Sequence, residues 1–339
     1  MDMLTQALDR LFRERFTPDT IREIETGGSV ETLWSQLEGG GFLDMLLPEE
    51  QGGAGLTMAE AFPGFMAAGT HALPLPFVQT VLARAWLLTN GIAPPGGRIA
   101  IAGPEVSRRG DGSLTAQGVA FGPVAEWVLA GFEGLWVLLP VAAAQVVAEG
   151  VRGSLFADFH WASLPSDALS VSHQHVGTSP AVLAATALVP LLAGAAARVL
   201  DMTLAYVGER EQFGRPISQF QAVQNQLSMM AERVWAMRMA ARLAFHSAGH
   251  EPCEARVALA KARCGEAAVQ VADIAHALHG AIGITEEHAL QLYTRRLREW
   301  RRAAGSEAWW ARKLGAAVLA SRGSALDFII ANTQAAHAG

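Results

Sequence analysis

YVGEREQFGRPISQFQAVQ, residues 206–224, sets a short arginine-bearing turn containing Gly208, Gly214 and Pro216 between two long apolar-periodic segments. After it, Phe220, Val223, Leu227, Met230, Val234, Met237, Ala241 and Ala244 recur at steps of three and four. One apolar stripe therefore runs along a helix expected over 218–248. At ~1.5 Å per residue such a helix is about 45 Å long, which suits a bundle better than a compact α/β domain. The turn also offers chemistry. Arg210 is a permanent fork of donors that pairs with two phosphate oxygens at once, Gln212 and Gln221 add neutral donors, and Phe213 supplies a flat apolar face. A surface arginine at a helix end beside a core phenylalanine is the plainer reading of the same residues.

The chain has 339 residues, enough for two or three structural units around a large core. Hydrophobic residues make 51% and charged ones 17%, with mean hydropathy +0.22, a composition that argues against extensive disorder. A net charge of -6 disfavours nucleic acid as the main partner. Cys253 and Cys264 form no CxxC pair and read as free thiols in a reducing, cytoplasmic setting. The first fifteen residues are charged and lack the apolar core of a signal peptide. Residues 181–197 carry no charge, but the run is alanine-rich and interrupted by Pro190, and Arg198 follows at once. A buried bundle helix is expected there, with no membrane span.

Outward from the opening stretch, three textures divide the chain. Residues 1–96 read as an N-terminal helical domain, with a glycine run at 39–41, a loop LPEEQGGAGL at 47–56, Thr57 as a helix cap, and a helix over 76–90. Residues 97–180 read as a reduced β domain of barrel-like type, with short strand runs at 98–102, 127–130, 135–139 and 145–148. Residues 181–339 read as a C-terminal four-helix bundle, with helices expected at 181–212, 218–248, 252–278, 285–301 and 306–322. Thr285 is the expected cap of the fourth, with Glu286 and Glu287 in its first turn. The fold class is thus mainly α with a small β domain.

Three stretches carry a family resemblance. LPEEQGGAGL at 47–56 is similar to a "vPeeyGGsG" motif, REQFGRPISQFQAVQ at 210–224 to "RxxFGxxixxfQxxq", and LHGAIGIT at 278–285 to "xhGGxGyt". Together, and in this order, they resemble the acyl-CoA dehydrogenase family over nearly the whole chain. The resemblance implies FAD as cofactor, often bound across a subunit interface, and α,β-dehydrogenation of an acyl-CoA thioester. It also implies a homo- or hetero-oligomer, dimeric or tetrameric, and an electron-accepting flavoprotein. By the same resemblance Arg210, Gln212, Phe213, Ile217 and Gln221 meet the pyrophosphate and adenosine, Leu278, Gly280 and Ala281 line the dinucleotide, and Ser306 stands where the family has a threonine on FAD.

The departures are informative. The family's proton-abstracting glutamate precedes a Gly-Thr pair, and the corresponding stretch here is AAGSE at 303–307, so Ala304 occupies the base position and no catalytic residue is assigned. The alternative family position falls at Leu183 or Ala184, also apolar. Without a general base such chemistry slows by roughly 10²–10⁴. The "TEPxxGSD" loop has no counterpart between Ile99 and Val176. This pattern is similar to the degenerate chain of heteromeric acyl-CoA dehydrogenases, whose paralogous partner supplies the glutamate in the breakdown of sterol side chains and other bulky acids. A non-catalytic subunit that completes a neighbour's FAD site, or a structural subunit of such a heteromer, is the alternative.

Other groups are expected to be ordinary. Glu299 and Glu307 read as solvated or dipole-compensating residues at helix ends. The arginines 295, 296, 298, 301 and 302 read as a solvated face, a phosphate site or intersubunit ion pairs. Trp300, Trp309 and Trp310 are expected to shape a pocket. His160, His173 and His175 read as loop positions, and His246, His250 and Cys253 have no spacing that suits a metal.

Overall fold

Helix ends in the first third are fixed by caps the sequence displays. The computed structural model describes residues 3–171, 178–246 and 251–333. It opens with α1 (Met3–Arg15), α2 (Pro18–Glu25), α3 (Glu31–Gly39), α4 (Met58–Thr70) and α5 (Phe77–Thr89). Thr57 closes a capping box with Glu60, each side chain bonding the other residue's backbone N–H. Gly41 and Gly91 take left-handed φ of 69° and 76° just past α3 and α5.

The β region holds more strands than expected: β1 (Ile99–Ile101), β2 (Ser107–Arg108), β3 (Leu114–Ala120), β4 (Trp127–Phe132), β5 (Leu135–Pro140), β6 (Gln145–Glu149), β7 (Phe156–Trp161) and β8 (Leu169–Val171). They form two four-stranded sheets, ordered β1-β4-β5-β8 and β2-β3-β7-β6. Among the described strands only β1 and β4 pair in parallel. Leu114, Val119, Val128, Leu139, Phe159 and Trp161 fill a separate core between the sheets. Sequence reading missed β2, β3, β7 and β8; Gly118 interrupts the apolar pattern in β3, and Asp158 interrupts it in β7. His160 accordingly lies in a strand with its ring against the Thr115 hydroxyl (3.2 Å) instead of in a loop. His173 and His175 lie outside the described residues.

The remainder is helical: α6 (Pro180–Glu209), a two-rung hairpin of β9 (Glu211–Gln212) and β10 (Arg215–Pro216), α7 (Gln221–Ala244), α8 (Glu254–His279), α9 (Leu290–Trp300), α10 (Glu307–Ala320) and α11 (Ala325–Thr333). One apolar core runs from the N-terminal helices into α6, α7 and α8. Where α4 crosses α6 the backbones touch: a Cβ on Gly194 would lie 2.1 Å from the Met66 carbonyl oxygen.

Several expectations need correction. Pro190 does not break α6, which continues for 30 residues with the proline buried inside it. α6, and α8 with the turn that follows it, are long and apolar enough to cross a membrane, but 83% of α6's apolar window is buried within the chain. Thr285 does not cap α9. Its hydroxyl donates to the Ile282 carbonyl (2.9 Å), closing a 3-10 turn, and α9 begins five residues later. The α7 stripe is buried only from Met230 onward; Phe220, Val223 and Leu227 are half-exposed, because none of the described residues covers the first turns of α7.

Candidate functional site

α6 ends where Arg210 leaves the helix, its N–H still bonded to the Tyr206 carbonyl (2.8 Å). The hairpin that follows turns at Phe213 and Gly214, with φ of 53° and 78°. Left-handed φ is costly for a phenylalanine, and such outliers concentrate at functional sites. The Phe213 ring is 93% exposed and meets only the edge of Phe220, at 6.2 Å. Arg215 covers the other ring, its guanidinium 4.3 Å from the Phe220 centroid. Arg210 is exposed and makes no ion pair among the described residues. Gln212 is exposed in β9, half-buried Ile217 donates its N–H to the Arg210 carbonyl (2.8 Å), and Gln221 reaches only Asn225 (3.0 Å). The arm thus presents a cation, an aromatic face and amides to solvent.

The glycine turn after α8 lies beside the root of this arm. Tyr206 stacks on His279 at 4.4 Å and donates its hydroxyl to the His279 carbonyl (3.2 Å). Gly280 has φ 65°, with open space where a Cβ would stand; Ala281 is exposed and Leu278 half-buried. Eight of the nine expected cofactor residues therefore gather at one end of the bundle. Sequence reading missed the link itself, Tyr206.

Ser306 does not join them. It caps α10, accepting the Trp309 N–H (3.3 Å), in the turn held by Lys261 near the start of α8. The helical rise along α8 from Lys261 to Gly280 puts the two ends about 28 Å apart. In the Ser306 turn Ala304 and Gly305 take φ of 52° and 95°. The Trp310 indole donates to the Ala304 carbonyl (2.9 Å). A Cβ on Gly103, at the exit of β1, would lie 2.6 Å from the Ala304 Cα. Ala304 is pressed against the β domain, and its methyl group can neither accept nor donate a proton.

Beside this contact lies a cavity of about 510 Å³ whose walls include Gln117, Ser154, Phe156, Glu299, Arg302 and Ala304. Gln117 reaches it from a bulge in β3, where Gln117 and Gly118 together oppose Asp158 of β7. Glu299 is neither solvated nor a dipole-compensating end residue: it is half-buried, and burial raises its carboxyl above the usual glutamate range. Glu307, also half-buried, pairs with Arg301 while its other oxygen is buried without a partner.

The arginine row is a solvated face only at Arg298 and Arg302, which are exposed. Arg295 and Arg296 converge on buried Glu25 of α2, the latter at 2.9 Å, Arg298 pairs with Asp273 (2.6 Å), and Arg302 alone of the five lines the cavity unpaired among the described residues. Trp300 and Trp310 are buried behind the turn instead of lining the cavity. Among the described residues no group of His, Cys, Asp or Glu is arranged for a metal; His250 lies outside them.

These features have counterparts in known proteins. The family signature "Acyl-CoA dehydrogenase, C-terminal domain" matches residues 183–319. The chain is 30% identical over 311 residues to acyl-CoA dehydrogenase IpdE2 of Mycolicibacterium smegmatis, covering 87% of this chain and 91% of that one. It is 31% identical over 323 residues to acyl-CoA dehydrogenase FadE34 of Mycobacterium tuberculosis, covering 87% of this chain and 44% of that longer one. The fold matches the ChsE4-ChsE5 complex from Mycobacterium tuberculosis with TM-score 0.82 at 24% identity, covering 95% and 99% of the two chains. It matches the Tcur3481-Tcur3483 steroid ACAD with TM-score 0.76 at 26% identity, covering 93% and 96%. A signature at residues 183–319, together with 30% identity over 87% of the chain, has one reading: the chain belongs to the acyl-CoA dehydrogenase family.

Proposed function

We propose that this chain is one subunit of an oligomeric, FAD-dependent acyl-CoA dehydrogenase, contributing a dinucleotide-holding arm while a paralogous partner supplies the carboxylate that removes the α-proton. The observation that carries the reading is the separation within one chain. Arg210, Phe213 and Gln221 face solvent at one end of the bundle, and Ala304 packs on Gly103 at the other. A cofactor held by such an arm must have its reacting end on another subunit.

The arm's residues suit a dinucleotide. Unpaired Arg210 offers a bidentate fork to pyrophosphate, Phe213 a face for adenine, and Gly280 open backbone for close approach. Gln212, Ile217, Gln221, Leu278 and Ala281 complete the rim, and Ser306 would touch a flavin only from the distant end. FAD, when bound, supplies the acceptor for the hydride leaving Cβ. This chain's contribution is to bind and orient; Ala304 moves no proton.

Likeness to a structure described as a steroid ACAD supports a bulky, steroid-derived acyl-CoA as substrate class. An electron-accepting flavoprotein and a cytoplasmic location belong to the same proposal. The test is mutational and uses the complex with the partner. Replacing the partner's glutamate before its Gly-Thr pair abolishes turnover, whereas Glu299→Gln and Glu307→Gln in this chain leave kcat within a few-fold. Loss of turnover in either of the latter assigns the base to this chain and ends the proposal.

A further inference from the structure

Lys261 is fully buried, yet it makes no ion pair among the described residues. Its ammonium lies at the carboxyl end of α9 and donates to three carbonyls: Trp300 (2.9 Å), Arg301 (2.8 Å) and Gly305 (3.1 Å). An ammonium has three donors, and all three are used. The first two acceptors are among the last carbonyls of α9, the negative end of its dipole. The third belongs to the left-handed turn that carries Ala304. The Trp310 indole holds the neighbouring carbonyl, so consecutive carbonyls of this turn are each pinned by a buried side chain.

Ala304, a non-glycine residue at positive φ, is strained and persists there only where the surroundings over-determine it. The surroundings here are these two donors. We propose that Lys261 is a positioning residue: its ammonium fixes the Ala303–Gly305 turn against Gly103 and so sets the crevice where the turn meets the β domain.

The clamp is also poised to respond to pH. Burial pulls the ammonium down to about 7, opposed by Cys264 on its own helix and Glu307 in α10 and assisted by Arg301 at the exit of α9. In water the ammonium regains its ordinary value, so an opened turn binds the proton more tightly than the closed one, and closing is favoured as pH rises through neutrality.

Hydrogen exchange on the full-length protein tests this, read on the peptide spanning 300–306 and on α6 as a reference, with protection corrected for intrinsic rates. Lys261→Met lowers protection of the turn about tenfold or more while α6 keeps its own. In the wild-type protein the turn's protection, so corrected, rises between pH 6 and pH 8.5 and α6 stays level, a measurement that needs no variant to fold. Turn protection that is unchanged in Lys261→Met, or level across that range in the wild type, overturns the proposal. Exchange is read on flavin-free protein, so the result stands whether or not the arm binds a dinucleotide.

Discussion

Gly103 and Ala304 touch so closely that only glycine fits at the first position: a Cβ there would lie 2.6 Å from the Ala304 Cα and 2.9 Å from its Cβ. The contact joins the exit of β1 to the turn after α9. Gly103→Ala forces the turn, pinned by Lys261 and Trp310, off the β domain. Overpacking of this kind costs about 1–3 kcal/mol, read as a lower urea midpoint. An unchanged midpoint shows that the turn yields freely.

Ala304→Glu restores a carboxylate at the position the family uses, but at a left-handed φ and against Gly103. The account expects no acyl-CoA-dependent bleaching of flavin by this variant alone. Bleaching by the isolated variant shows that the crevice admits both flavin and thioester.

Arg210→Ala and Phe213→Ala remove solvent-facing groups, so thermal stability stays within about 0.5 kcal/mol. Losing a charge-assisted pair to phosphate costs about 1.5–3 kcal/mol, so flavin affinity of the assembled complex falls at least tenfold in Arg210→Ala. Unchanged flavin content removes Arg210 from the site.

Glu25 is almost fully buried and bridges Arg295 and Arg296, tying α2 to α9. Glu25→Gln leaves the Arg296 cation buried without its counter-charge, a loss of about 3–5 kcal/mol in unfolding free energy. A loss below about 1 kcal/mol shows that solvent reaches the pair.

Burial lowers the pKa of His71, His276, His279 and His288 below 6.5 in the folded chain. The unfolded chain therefore takes up protons first as pH falls, so the contribution is complete above 6.5 and lost below it. Glu299, raised by burial, runs the other way, but it is one group against four. The urea midpoint at pH 5.5 is expected below that at pH 7. An equal or higher midpoint at pH 5.5 contradicts the burial argument.

How far the sequence reaches differs between elements. Caps and periodicity place Thr57, Gly91 and the core half of α7, because these depend on neighbours within a turn or two of chain. Motif resemblance names Arg210, Phe213 and Gly280, and the fold brings them to one end of the bundle. It gives no hint that Ser306 stands at the other end, since that depends on how α8 runs between them. Lys261 and Glu299 are invisible for the same reason: one lysine in an alanine-rich helix and one glutamate in an arginine row look solvated until tertiary packing buries them. β3 escapes because its bulge at Gln117 and Gly118, which re-aims a side chain into the cavity, also spoils the alternation by which a strand is recognised.

The central claim is that the flavin sits between this chain's arm and another subunit's carboxylate. Visible absorbance combined with native mass measures it directly, on the chain purified alone and with a paralogous partner carrying the glutamate. The account predicts a colourless chain alone, and a yellow, acyl-CoA-oxidising complex with flavin only where both chains are present. A chain that is yellow by itself, with one flavin per polypeptide and turnover of acyl-CoA, contradicts it.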